Sequence, residues 1–254
     1  MLWDTSRTLS DNVSVISQYR SQMPQCVMKL SILHISDLHR DQDNPISNDA
    51  LFNSLIQDID NATKEDPQIP RPDLIIVSGD VIQGTDKDTA NANDVLNEQY
   101  AQAEDFLSRL CVEMVGGDRE KIVIVPGNHD INFACMFAAL EEIDYGSKAE
   151  DVKRELANGI WQDQSPYRWS WGDFKLYKIV NQEKYDQRLA EFIEFYERFY
   201  KGKRQYSPDV RSQFDTFHYP SFNVTITGLN SCFLNDPWHR TGVIHPQAFA
   251  SAMS

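Results

Sequence analysis

Six side chains in three short runs carry the donors that divalent metal ions take. Asp37 and His39 stand in Ser36-Asp37-Leu38-His39, Asp80 in Gly79-Asp80, and Asn128, His129 and Asp130 in Gly127-Asn128-His129-Asp130. Carboxylate oxygen, imidazole nitrogen and amide oxygen together suit borderline divalent ions such as Mn²⁺, Fe²⁺ or Zn²⁺. If the runs converge, they can hold a pair of ions with a carboxylate oxygen bridging them, which is equipment for hydrolysing a phosphate ester.

Convergence is expected from what precedes each run. Leu30 to Leu33, Leu74 to Val77 and Ile122 to Val125 are apolar, largely β-branched runs that read as buried strands. A helix is expected from Ala50 to about Asp60, with Leu51, Leu55, Ile56 and Ile59 on one face and Asn48 or Asp49 as its cap. A second is expected from about Asp94 to Met114, with Val95, Gln99, Ala103, Phe106, Leu107 and Leu110 at helical spacing, closed by Gly116-Gly117. Strand, helix, strand, helix, strand is the pattern of a parallel sheet with right-handed crossovers. Each run then lies just past a strand's C-terminal end, where open α/β sheets place their ligands.

The three runs resemble, in order, the first signatures of the calcineurin-like metallophosphoesterase superfamily: Asp-x-His, Gly-Asp and Gly-Asn-His-(Asp/Glu). The resemblance spans Met28 to Asp130 and, loosely, Phe222 to Ser231. It implies an α/β fold built as a two-sheet α/β-β-α sandwich. It also implies a cofactor of two divalent ions, with Asp37 and His39 on one, Asp80 bridging both and Asn128 on the second. A hydroxide bridging the metals would attack phosphorus in line. His129 matches the substrate-facing histidine that protonates the leaving alkoxide and binds a phosphate oxygen, and Asp130 either orients that ring or caps the following helix. The implied partner is a phosphate-ester substrate, diester or monoester.

Two departures qualify the resemblance. Protein Ser/Thr phosphatases of the superfamily continue the second motif as Gly-Asp-x-x-Asp-Arg-Gly, whereas this chain reads Gly79-Asp80-Val81-Ile82-Gln83-Gly84. That argues against a phosphoprotein phosphatase, and Ser36-Asp37-Leu38-His39 looks closer to bacterial phosphodiesterases or nuclease-like members. The later histidine and the Gly-His-x-His loop of the family do not occur before Ser254, and Gly242 to Gln247 resembles the segment that usually precedes them. The expectation is therefore a chain that ends early and lacks imidazoles on each metal unless His218, His239 or His245 substitutes. A nuclease, or a degenerate phosphoesterase fold used as a binding module, are the alternatives.

Residues 1–27 read as an N-terminal extension, either disordered or upstream of the true start, and 28–254 as one metallophosphoesterase domain. Within it, 131–215 reads as an insertion or cap. A helix is expected around Phe133 to Glu142, β-structure from Tyr167 to Val180 turning at Gly172-Asp173, and a helix bearing Leu189, Phe192, Ile193, Tyr196 and Phe199. That stripe reads first as packing. The sharper reading is a cap whose Trp161, Trp169, Trp171 and Tyr200 shape a cleft. His34, inside the first strand, reads as a packed or hydrogen-bonded histidine, and Asn230 as a residue approaching the site from the end of a strand over Phe222 to Leu229.

The chain of 254 residues is 41% hydrophobic and 24% charged, ordinary for a globular enzyme. Its net charge of −14 disfavours a broad nucleic-acid surface, which needs clustered Lys and Arg. No apolar run approaches the roughly 20 residues that span a bilayer. The polar first 27 residues do not read as a signal peptide. Cys26, Cys111, Cys135 and Cys232 lack CxxC spacing and read as reduced thiols of a cytoplasmic protein.

Overall fold

The computed structural model describes residues 29–160, 162, 165–236, 238 and 242–254. The N-terminal extension, Trp161 and His239 lie outside the described residues. Three strands, β1 (Ile32–Ile35), β2 (Leu74–Ser78) and β3 (Ile122–Val125), form a parallel sheet with β2 in the middle. Leu74, Ile75 and Val77 of β2 are fully enclosed, as expected of a continuous apolar strand covered on both faces. β1 alternates exposed and half-buried positions.

The crossovers are α1 (Asn48–Glu65) and α2 (Ala92–Val115). The cap of α1 is Ser47, whose hydroxyl accepts from the Ala50 N–H at 3.2 Å, rather than Asn48 or Asp49. The physical reason is that Asn48 is committed elsewhere: its amide donates to the Gln102 carbonyl and to Asp105, tying α1 to α2. α2 starts slightly earlier than its apolar spacing suggests and ends at Gly116, whose φ of 68° is the left-handed turn that stops a helix.

Between Asn132 and Tyr219 the expected long helix is replaced. Helix α3 covers only Phe133–Phe137, and Leu140–Ile143 is a strand, β4. It pairs with β6 (Lys175–Ile179), which also pairs with β5 (Tyr167–Ser170), giving an antiparallel sheet of order β4-β6-β5. Tertiary pairing overrides local helix preference here, and Lys175 reinforces it with an ion pair to Glu142 at 2.7 Å. β5 and β6 occupy the stretch read as β-structure, on either side of Gly172-Asp173. Helices α4 (Glu150–Ile160) and α5 (Gln182–Asp186) flank this sheet in sequence.

Helix α6 (Ala190–Phe199) packs on α2. Phe192, Phe195, Tyr196 and Phe199 are fully buried, and Phe195 stacks on Tyr100 of α2 at 4.8 Å. Each such ring contributes about 1.5–3 kcal/mol of burial. The stripe is core. A final hairpin, β7 (Phe214–Tyr219) and β8 (Val224–Leu229), lays β8 against β3. Gly228 permits that approach, since a Cβ there would lie 2.8 Å from Val125 Cγ2. Helix α7 (Pro246–Ala252) follows. Among the described residues the architecture is mixed α/β, with one parallel sheet and two antiparallel ones. Among the described residues, no helix is long and apolar enough to cross a membrane.

Candidate metal centre

The loops that leave β1 and β2 adopt an uncommon backbone. Asp37, His39 and Asp80 have φ of 54°, 44° and 48°, and Gly79 has 83°. Left-handed conformations of non-glycine residues cost about 1–3 kcal/mol each and persist where the surroundings over-determine them. Here a continuing backbone ladder does so. His39 N–H donates to Asp80 O at 2.9 Å, Arg40 N–H to Val81 O at 3.1 Å, and Gly79 N–H to Val125 O at 2.9 Å. Gly127 completes the fit: a Cβ there would meet the Asp80 amide nitrogen at 2.1 Å and Asp80 Oδ1 at 2.2 Å. The three motif loops interlock.

That interlock brings donors of His39, Asp80 and His129 together, with Asp37 beside His39 but outside this trio. Asp80 Oδ1 accepts from the His129 N–H at 2.9 Å, while its Oδ2 lies 3.9 Å from His39 Nε2. Asp37 Oδ1 is 4.0 Å from the same nitrogen. These separations are too long for hydrogen bonds. They fall within the span of two ligands around one ion, whose bonds are about 2.0–2.2 Å each. Ligand atoms of His39, Asp80 and His129 all lie within 4.8 Å of one another. The His39 and His129 rings meet edge to face at 4.6 Å. The donor set and its spacing fit a divalent cation. His129, expected to face the substrate, thus stands beside His39 and Asp80 in space.

The tautomer of His129 follows from its partner. Its Nδ1 lies 2.6 Å from the Gln83 carbonyl, which can only accept, so Nδ1 carries a hydrogen. Gly84 lets that loop pass: it has φ of 79°, and a Cβ there would lie 2.6 Å from the His129 carbonyl oxygen.

Asp130 does not orient the His129 ring. It is 2% exposed, and its oxygens are taken by the Gly127 N–H (2.7 Å), the Val81 N–H (3.2 Å) and the Tyr100 hydroxyl (3.0 Å). Burial, with smaller opposing help from these donors, raises its pKa to about 7. The residue is a clasp joining the second loop, the third loop and α2.

Asn128 lines two cavities. One, of about 390 Å³, is bounded by Ser78, Asp80, Ser231, Cys232 and Gly242 among others. The second, of about 310 Å³, includes Gln83, Thr85, His129, Phe133 and Asp236. A model of the calcineurin-like phosphoesterase family matches residues 30–228, more than half of the chain. The chain belongs to that family. No curated protein matches it. Membership supports metal-dependent hydrolysis of phosphoesters in general, and all three interlocked loops of this calcineurin-like phosphoesterase lie inside the matched span.

Other candidates sit elsewhere. His34 bonds Ser78 through Nε2 at 2.6 Å, in keeping with its hydrogen-bonded reading. His218 faces Thr225 on the β7–β8 hairpin, and His245 caps α7 by accepting from the Gln247 N–H. Asn230 is spent on Gln213 and the Cys232 N–H. Tyr200 is buried with its hydroxyl on the Ile122 carbonyl, while Trp169 and Trp171 touch each other on and beside β5. None of these aromatic side chains lines either cavity. Cys111, Cys135 and Cys232 are unpaired, and Cys26 is outside the described residues. Cys232 borders the larger cavity, but burial pushes its thiol up to about 12, which leaves it inert as a nucleophile.

Sequence reasoning missed the Gln83 carbonyl and the loop after β8. The first was within reach, since Gln83 closes the second motif. The second carries no periodic signal, only Asn235-Asp236 before Pro237, which reads as a turn.

Proposed function

We propose that this protein is a phosphohydrolase that uses two divalent ions to cleave a phosphodiester or a small phosphomonoester. Asp37, His39, Asp80 and Asn128 would hold the ions, Asp37 and His39 on one side, Asn128 on the other and Asp80 between them. The observation that carries this reading is the convergence of His39, Asp80 and His129 donors within 4.8 Å at the ends of neighbouring strands. When bound, the ions supply Lewis acidity toward the phosphoryl group and activate water for in-line attack.

The chain's own residues do the rest. The left-handed backbone of Asp37, His39 and Asp80 is fixed by the interlocked loops before any ion binds. Asp80 is oriented by the His129 N–H, which ties this carboxylate to the third loop. With Nδ1–H held by the Gln83 carbonyl, Nε2 is the ring atom through which His129 would exchange a proton with the leaving oxygen. Asp130 transfers no proton, because its oxygens are enclosed among two backbone N–H groups and Tyr100. The net charge of −14 favours a small ester over a nucleic-acid polymer.

The test is turnover of bis-p-nitrophenyl phosphate and p-nitrophenyl phosphate by chelator-stripped protein, before and after Mn²⁺ is restored. Activity should vanish with the chelator and return with the metal. Turnover indifferent to metal, or none with either ester from folded protein, overturns the proposal.

A further inference from the structure

Asn235, in the loop between β8 and α7, is 4% exposed, and its Oδ1 is enclosed with no hydrogen-bond partner among the described residues. Leaving a buried acceptor unmet is costly, and native folds retain such groups mainly where something else meets them. Its position is specific. Asn235 borders both cavities described above, a property it shares only with Asn128 among their lining residues.

The loop is also held firmly. The Asn235 N–H donates to Cys232 O at 3.1 Å. The next residue, Asp236, is 1% exposed and receives Arg168 Nε at 2.5 Å, the Tyr185 hydroxyl at 3.2 Å and the Trp238 N–H at 2.9 Å. A buried ion pair thus anchors the loop at the residue next to Asn235, the kind of support a preorganised ligand requires. An amide oxygen with no donor attracts a cation and repels a phosphate oxygen.

We propose that Asn235 gives its Oδ1 to the divalent ion on the Asp80–Asn128 side of the centre. The inference rests on reading this site as a metal centre. It supplies an oxygen where sequence reasoning looked for an imidazole, since neither His218 nor His245 lines either cavity. The two sides then differ in chemistry. One presents imidazole nitrogen with carboxylate oxygen, and the other, among the described residues lining the larger cavity, presents oxygen donors from Asp80, Asn128 and Asn235. Oxygen-only sites suit Mn²⁺ and Mg²⁺, whereas imidazole suits Zn²⁺.

The experiment is Mn²⁺ binding to the full chain by titration calorimetry and electron paramagnetic resonance, without substrate. Wild type should take two ions. Asn235→Ala should keep the first and weaken the second at least about tenfold, the scale of a lost ligand-shell contact. Asn235→Asp should restore the second by returning an oxygen ligand. The inference is overturned if Asn235→Ala binds both ions as wild type does, or if Asn235→Asp fails as Ala does. Should Asn235→Ala not fold, Asn235→Asp decides alone. A wild-type protein that binds no Mn²⁺ defeats the metal reading itself, a different result from two ions bound equally by wild type and Asn235→Ala.

Discussion

The loops after β2, β3 and β8 border the two cavities at Asn128, with the loop after β1 laddered to the one after β2, yet the β8 loop and the other three are held in opposite ways. The first three lock to one another through backbone hydrogen bonds, left-handed residues and the Asp130 clasp. The β8 loop is held by side chains far away in the chain, above all Arg168 of β5 against Asp236, 68 positions apart. A site can therefore combine a part whose geometry is written locally with a part that depends on a separate small sheet. The contrast can be broken from either side.

The largest effect should come from Arg168→Met. Removing one member of a buried ion pair costs about 3–5 kcal/mol. The loss should register in denaturant melts, and hydrogen exchange should rise first in residues 231–236 rather than in the motif loops. Equal loosening of all four loops would show that they are one unit. Next comes Asp130→Ala, which strands the Gly127 and Val81 N–H groups and the Tyr100 hydroxyl for about 3 kcal/mol. Asp130→Asn keeps an acceptor for the amides and should stay within about 1 kcal/mol of wild type. If Asn is as damaging as Ala, the charge matters and the clasp account fails.

Gly127→Ala comes third. Its Cβ would collide with Asp80, and displacing a ligand by about 1 Å costs on the order of a hundredfold in rate. Mn²⁺-dependent turnover should fall by that much while the α2–α6 core still melts cooperatively. Unchanged turnover would mean that the loops tolerate more play than their contacts suggest.

The smallest effect concerns Cys232 in the β8 loop. A thiol raised to about 12 in the folded protein keeps a proton that the unfolded chain loses near pH 9. Stability from this group is thus constant below pH 9 and falls as pH rises from there toward 12. At pH 9, iodoacetamide should label Cys232 at least about a hundredfold more slowly in folded than in unfolded protein, as read by site-resolved mass spectrometry. Rapid labelling would show a loop more open than its contacts imply.

The same contrast explains what the sequence revealed. β1, β2, β3, α1 and α2 were legible because each pairs a strong period with a stop such as Gly116, and the motif residues follow directly from strand ends. Ser47 displaced the expected cap only because Asn48 is drawn to α2, a contact no local pattern announces. β4 was read as helix since Leu140 to Ile143 becomes a strand only beside β6. Asn235 was invisible for a similar reason: its placement depends on Asp236 meeting Arg168 and Tyr185. His129 showed in the sequence as a site residue, but its nearness to His39 and its tautomer needed the fold. The Asp130 clasp needed Tyr100, which arrives from the middle of α2.

The central claim is that metal assembled at Asp80 performs the chemistry. Its most direct test is Mn²⁺-stimulated hydrolysis of bis-p-nitrophenyl phosphate by wild type beside Asp80→Asn, with folding verified for both. Asp80→Asn keeps the side chain's shape and its acceptor for the His129 N–H while removing the charge. The account predicts turnover in wild type and at least about a thousandfold loss, near 4 kcal/mol, in the variant. Asp80→Asn protein that still turns over with Mn²⁺ at a comparable rate would contradict it.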